Sequence, residues 1–191
     1  MIKLSRFATL ILTCTAGALL FAGLVSCSHG SPNARKVLMA CYAVTNAQAG
    51  QILGGRVDAI MLSGETSPIH VCAYNDDKGN TLALLQISKI DSKDPASELA
   101  ADAAQQKALF KKNVVPIQIH VADGFGPGAF YLDNTTGPAA TLVQLHLIEN
   151  GYRMMVQINN PKNFPVGEKQ AAAVAQQALS SIADKKAFKE I

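Results

Sequence analysis

Four cysteines and four histidines carry most of the ligand and nucleophile chemistry in this 191-residue sequence: Cys14, Cys27, Cys41, Cys72 and His29, His70, His120, His146. A zinc cage needs such side chains at close, repeated spacing. Here there is no Cys-x-x-Cys and no His-Glu-x-x-His, and His70, His120 and His146 fall on separate expected strands. No metal or cofactor is therefore assigned. A serine hydrolase needs a poised nucleophile; Ser63-Gly64 sits in a loop and no Gly-x-Ser-x-Gly is present. Gly124-Phe125-Gly126-Pro127-Gly128 lacks the Lys-Ser/Thr of a phosphate loop, and a strand rather than a helix is expected after it. In the acidic loop Asn75 to Asn80, placing Gly79 at the calcium-loop glycine puts Tyr74 and Lys78 where oxygen ligands belong. His146 and Glu149 are three apart on an expected strand, hence on opposite faces. These patterns assign no catalytic residue, and a non-enzymatic role is expected.

Cys27 is different, because its surroundings specify a reaction. Lys3 and Arg6 open the chain without an acid, Phe7 to Val25 is apolar apart from small polar residues, and Leu24-Val25-Ser26-Cys27 closes the stretch. A basic start, a short apolar run and a small-residue processing site form a secretory signal. The apolar run is also about the 20 residues that a membrane-spanning helix needs. The Leu-x-small-Cys ending is similar to a bacterial lipobox, in which the cysteine is acylated and becomes the first mature residue. Two or more chains on Cys27 make a stable anchor, each buried methylene contributing about 0.8 kcal/mol. Ser28, rather than Asp, points to the outer membrane if the cell has one, and otherwise to the outer face of the cytoplasmic membrane. Residues 27–36 then form the lipidated cysteine and a tether, and residues 37–191 one globular domain.

Processing at Cys27 leaves 165 residues, one domain in size. It also removes Lys3 and Arg6, so the formal charge falls from +3 to +1. So small a charge gives no electrostatic case for nucleic acid. Lys185, Lys186 and Lys189 read as a solvated helix end, where cations suit the dipole. Cys14 leaves with the signal, so Cys41 and Cys72 remain, an even pair in an oxidising compartment. They can bridge, closing a loop of about 30 residues worth about 3–4 kcal/mol. Two buried free thiols are the other arrangement.

The elements that must position these residues follow from local pattern. Pro32 to Tyr42 reads as a short helix with Pro in its first turn. Thr45-Asn46-Ala47-Gln48 is a capping box for a helix over 46–53, ended by Gly54-Gly55. Val57 to Leu62 is an expected strand, and Ile69 to Tyr74 with Thr81 to Ser88 a hairpin. Asp94 caps a helix beginning at Pro95 and running to about Lys112. Strands are expected over 116–122 and 129–132, with Asp133 to Gly137 a turn. Asn150-Gly151 between alternating runs is the clearest hairpin signal. A two-residue turn there pairs Glu149 with Tyr152, Leu147 with Met154, Leu145 with Val156 and Val143 with Ile158. One face is then apolar, and the other carries Gln144, His146, Arg153, Met155 and Gln157. The loop 161–167 presents Phe164, and Glu168 to Ala183 is an amphipathic helix. This order, with short strand connections, predicts an α+β fold: one antiparallel sheet with helices packed on it.

The order of several motifs resembles a bacterial cell-envelope lipoprotein domain of unknown function. They are Cys41 before the capped helix ending in Leu53-Gly54-Gly55, Cys72-Ala73-Tyr74, and the spacing Gly124, Gly126, Ala129, Tyr131. A closing strand pair and an Ala-rich C-terminal helix extend the resemblance over residues 37–183. It implies a PsbP-like α/β/α sandwich and a disulfide between Cys41 and Cys72. The family often has Asp after the second Gly, where this chain has Pro127. The resemblance brings no catalytic residues.

The expected role is a lipid-anchored envelope protein that binds a protein or envelope component, with Phe164, His146, Met155 and Gln157 as its candidate surface. A carrier of a small apolar ligand, in a cavity lined by Leu99, Phe110, Leu145 and Val156, is the alternative. An uncharacterised periplasmic hydrolase is a third, and needs His120 or His146 to meet a carboxylate in a cleft.

Overall fold

The computed structural model describes residues 36–112, 116–135 and 141–190. Residues 1–35, with the expected signal segment, Cys27 and the expected tether, lie outside the described residues. Among the described residues, no helix is long and apolar enough to cross a membrane.

The described residues open with a short strand β1 (Lys36–Leu38), a single-turn helix α1 (Ala40–Ala43) and helix α2 (Asn46–Leu53). The expected helix over 32–42 is thus replaced by a strand and one helical turn. Val37 and Leu38 are drawn into extended backbone by pairing with β9 (Phe188–Glu190), a partner about 150 residues away in sequence that no local pattern shows. α2 keeps its capping box: the Thr45 hydroxyl accepts from the Gln48 N–H, and the Thr45 N–H donates to Gln48 Oε1 at 2.9 Å. Gly54 ends it at φ 87°, in the left-handed region.

Seven strands then build the main sheet. β2 (Asp58–Met61), β3 (Ile69–Asn75) and β4 (Thr81–Lys89) come first. Helix α3 (Pro95–Lys112) follows, its first turn held by the Asp94 carboxylate, which accepts from the Ser97 N–H at 3.1 Å. Next come β5 (Ile117–Val121), β6 (Phe130–Thr135), β7 (Thr141–Glu149) and β8 (Tyr152–Asn159). Helix α4 (Phe164–Ala183) and β9 complete the chain. The order across the sheet is β2-β3-β4-β8-β7-β6-β5, every neighbouring pair antiparallel. The β7–β8 register is the one expected from Asn150-Gly151, with Glu149 opposite Tyr152 and Val143 opposite Ile158. Asn150 and Gly151 both sit at positive φ, as the tight turn requires.

The fold class is therefore α+β with a large antiparallel sheet, but not with a single sheet: β1 and β9 form a second, two-stranded one. Two further expectations are corrected. Asp133, Asn134 and Thr135 belong to β6 rather than to a turn, because they pair with Val143, Leu142 and Thr141 across β7. The basic end is not a helix terminus either. α4 stops at Ala183, Lys185 turns the chain at φ 60°, and Lys189 lies in β9, donating to Glu65 Oε1 at 2.6 Å.

Helices cover both faces of the main sheet. α4 and α1 lie on the face carrying Tyr74, Leu85, Val143, Leu145, Leu147, Met154 and Val156, which forms the larger core. α3 lies on the other, where Leu99 packs with Phe130, Leu132 and Ile148. Gly167 sets how closely α4 approaches: a Cβ there would stand 2.7 Å from Val143 Cγ2 and 2.8 Å from Pro161 Cγ. The disulfide ties α1 to β3, with Cys41 and Cys72 Cα atoms 5.1 Å apart. Two residues along the same face of β3, the buried Tyr74 hydroxyl donates to the Val44 carbonyl at 3.0 Å and repeats that attachment.

Candidate functional site

The two sheet faces each bring one histidine to carboxylates. On the α3 face, His146 of β7 is buried, and its ring stacks on Phe130 of the adjacent β6, centroids 4.6 Å apart. Its Nδ1 lies 3.0 Å from Asp102 Oδ2 of α3, and its Nε2 is 3.2 Å from Gln144 Oε1. Hydrogen bonding by His146 holds the Asp102 carboxyl below the ordinary carboxylate range against the opposing effect of burial; Gln106 and Arg153 add to it. Beside this pair, Arg153 donates to Glu98 Oε2 at 2.8 Å, tying β8 to the start of α3. The groups border a cleft of about 270 Å³ between α3 and the sheet. Gln86, Gln106 and Met155 complete much of its wall, which includes no Ser, Thr or Cys among the described residues. His146 thus meets a carboxylate in a cleft, and such a pair can orient a polar ligand or clamp the helix to the sheet; a triad would need a nucleophile in addition.

On the α4 face, the edge hairpin β5–β6 brings His120 opposite Tyr131, with Asp133 one pair further along on the same face. The close seating of α4 at Gly167 places the next residue, Glu168, over them. His120 Nε2 is 3.6 Å from Asp133 Oδ2 and 3.5 Å from Glu168 Oε1. The three donor atoms all lie within 4.8 Å of one another, an N,O,O set of the kind that divalent metals use. Asp133 is only 4% exposed, while His120 is 40% exposed and opens the cluster to solvent. Burial, with Glu168 next, pushes the Asp133 carboxyl up to about 6, and only His120 opposes the shift. The neighbouring Tyr131 phenol is also raised, by burial and then by the charges of Glu168 and Asp133.

His70, His120 and His146 do not converge. His70 is buried on β3, separated from His120 on β5 by four strands, a span of roughly 24 Å at about 4.8 Å per strand. Desolvation lowers its pKa. His146 lies on the opposite face from both.

Of the expected surface residues, Phe164 is not at a loop tip. It is the first residue of α4, half-buried and packed against the larger core, with Asn163 capping the helix by accepting from the Val166 N–H. His146 is covered by α3. Met155 and Gln157 are half-buried on β8, and Gln157 accepts a hydrogen bond from Gln144 Nε2 at 2.8 Å. The expected ligand cavity is divided: Leu99 and Phe110 belong to the α3 face, while Leu145 and Val156 belong to the core on the α4 side.

Sequence reasoning missed Asp133 and Glu168. Extending β6 by one residue would have placed Asp133 on the same face as His120, but nothing local marks Glu168, which arrives on a helix from the other end of the chain. It also missed the free apolar stretch at the β2 edge. α3 covers the end of its face formed by β5, β6 and β7, whereas at the other end Ile60 is 47% exposed, Leu62 59% and Ile69 43%. Ile60 pairs with Ala73 and Leu62 follows the same alternation, so these side chains share one face of β2 and β3.

No known protein family matches the chain, and no curated protein matches its sequence.

Proposed function

We propose that this is a cell-envelope lipoprotein, held to the membrane by acylated Cys27, whose PsbP-like domain is a non-catalytic binding module for another envelope protein. The observation that carries the binding role is the uncovered apolar end of the α3 face. Ile60, Leu62 and Ile69 stand exposed together at the β2 edge, next to half-buried Val71 and Leu84. A contiguous exposed apolar patch favours an interaction surface, whereas scattered single residues do not. The lipobox ending at Cys27 supports the address, and the Cys41–Cys72 bridge is at home in an oxidising compartment.

The test is site-specific photocrosslinking in intact cells producing the full chain. A photoreactive residue at Leu62 is expected to give a discrete protein adduct, and one at Lys107 on α3 none. Equal adducts at both positions, or none at Leu62, would overturn the assignment of this face. Separately, Cys27→Ala is expected to move the protein from the membrane fraction to the soluble one and to abolish incorporation of labelled palmitate.

A further inference from the structure

We propose that His120, Asp133 and Glu168 form a binding site for a divalent transition metal of the zinc class, with one coordination position left open to solvent. Three observations carry it. First, both spacings from His120 fit, and all three donor atoms lie within 4.8 Å of one another. Zinc ligands lie at about 2.0–2.1 Å in a tetrahedron, so neighbouring ligand atoms stand about 3.3–3.4 Å apart. Here His120 Nε2 is 3.5 Å from Glu168 Oε1 and 3.6 Å from Asp133 Oδ2, slightly long for a direct hydrogen bond and close to a tetrahedral edge.

Second, Asp133 is a buried carboxylate whose Oδ1 has no hydrogen-bond partner. A carboxylate this far from solvent is ordinarily paired or bound to a metal. Its neighbour Glu168 is a second acid, and His120 alone does not balance two negative charges. A dication supplies the missing charge and ligates oxygens that otherwise repel one another.

Third, three different elements supply the donors, and each is fixed. His120 and Asp133 are held by the β5–β6 ladder, and Glu168 by the contact of Gly167 with Val143 and Pro161. Preorganised donors need little rearrangement to close on a metal. One imidazole and two carboxylates suit zinc better than a soft metal that prefers thiolates, and the exposed side of His120 leaves room for water or a partner's carboxylate as fourth ligand.

The experiment is calorimetric titration of the chelator-stripped full chain, in mild detergent, with ZnCl2 alone. One equivalent is expected to bind with Kd below about 10 μM. His120→Ala removes a half-exposed ligand and so preserves the fold; it is expected to weaken binding at least about 100-fold, since even supporting groups around a metal are worth 10–100-fold. Asp133→Asn and Glu168→Gln keep shape and are expected to act in the same direction. His29→Ala, in the tether, is expected to change nothing. Zinc is also expected to raise the melting temperature of the wild type and not of His120→Ala, which reads the site independently of the titration. Absence of saturable zinc uptake, uptake that persists in both His120→Ala and Asp133→Asn, or uptake of Ca²⁺ in preference to Zn²⁺ would overturn the assignment.

Discussion

Removing the Cys41–Cys72 bridge is expected to destabilise the domain by an amount that its topology sets. The two cysteines are 31 residues apart in sequence, and the loop they close contains α2 and β2. Closing a loop of that length removes denatured-chain entropy worth about 3.7 kcal/mol at 25 °C. The double variant Cys41→Ala, Cys72→Ala also loses the sulfur contacts of Cys72, which is fully buried, so it is expected to fall slightly below the reduced wild type. For a domain of this size, 1 kcal/mol corresponds to about 2–4 °C in Tm, so the bridge is worth about 7–15 °C. The assay is thermal unfolding by circular dichroism with and without a thiol reductant, with reduction verified by a mass increase of two hydrogens. The Tyr74–Val44 hydrogen bond still attaches α1 to β3 after reduction, so cooperative unfolding is expected to persist. A fully reduced protein melting within about 2 °C of the oxidised one would refute the reasoning, since the loop entropy would then be absent from the balance.

Gly167→Ala is expected to destabilise by about 1–3 kcal/mol in urea unfolding, because its Cβ would stand 2.7 Å from Val143 and force α4 outward. The same variant is expected to weaken zinc binding by displacing Glu168. Asp133→Asn is expected to stabilise the chelator-treated protein at pH 7.5 by up to about 3 kcal/mol and to have little effect at pH 4. The sign follows from the raised folded-state pKa of about 6. Stability from this group is greatest below the ordinary 3.8 and is lost as pH rises through 6, a loss that the amide avoids. Urea unfolding across that range tests it. Asp102→Asn behaves in the opposite sense. The His146 hydrogen bond depresses the Asp102 pKa, so its contribution is present above about pH 4 and is lost as pH falls through the folded-state value. The variant is expected to lose about 1–2 kcal/mol at pH 7 and progressively less as pH falls below about 4 in the same assay.

How much of this was legible in the chain depended on the range of the forces involved. The capping box at Thr45, the Asp94–Pro95 helix start and the Asn150-Gly151 turn are each settled by groups within a few residues, and each appears where the sequence placed it. Alternation then assigned Val143, Leu145 and Leu147 to one face because a strand's side chains must alternate. Cysteine parity left Cys41 and Cys72 able to bridge or to remain free thiols, and the structure joins them.

The sequence by itself thus determined the locally capped helices, the Asn150-Gly151 hairpin with its register and the even count of cysteines. Only the tertiary structure decided which distant elements meet. β1 became a strand because β9 returns to it from the far end of the chain, against the local reading of a helix. Asp133 joined β6 through its ladder with β7, Glu168 came over it because a glycine lets α4 press on Val143, and His146 was covered by a helix about 40 residues earlier in the chain. The exposed group of Ile60, Leu62 and Ile69 exists only because α3 covers one end of its face and not the other. Short-range hydrogen bonding and side-chain alternation can be read from neighbouring residues, but the packing that assembles a site depends on the shape of the whole molecule.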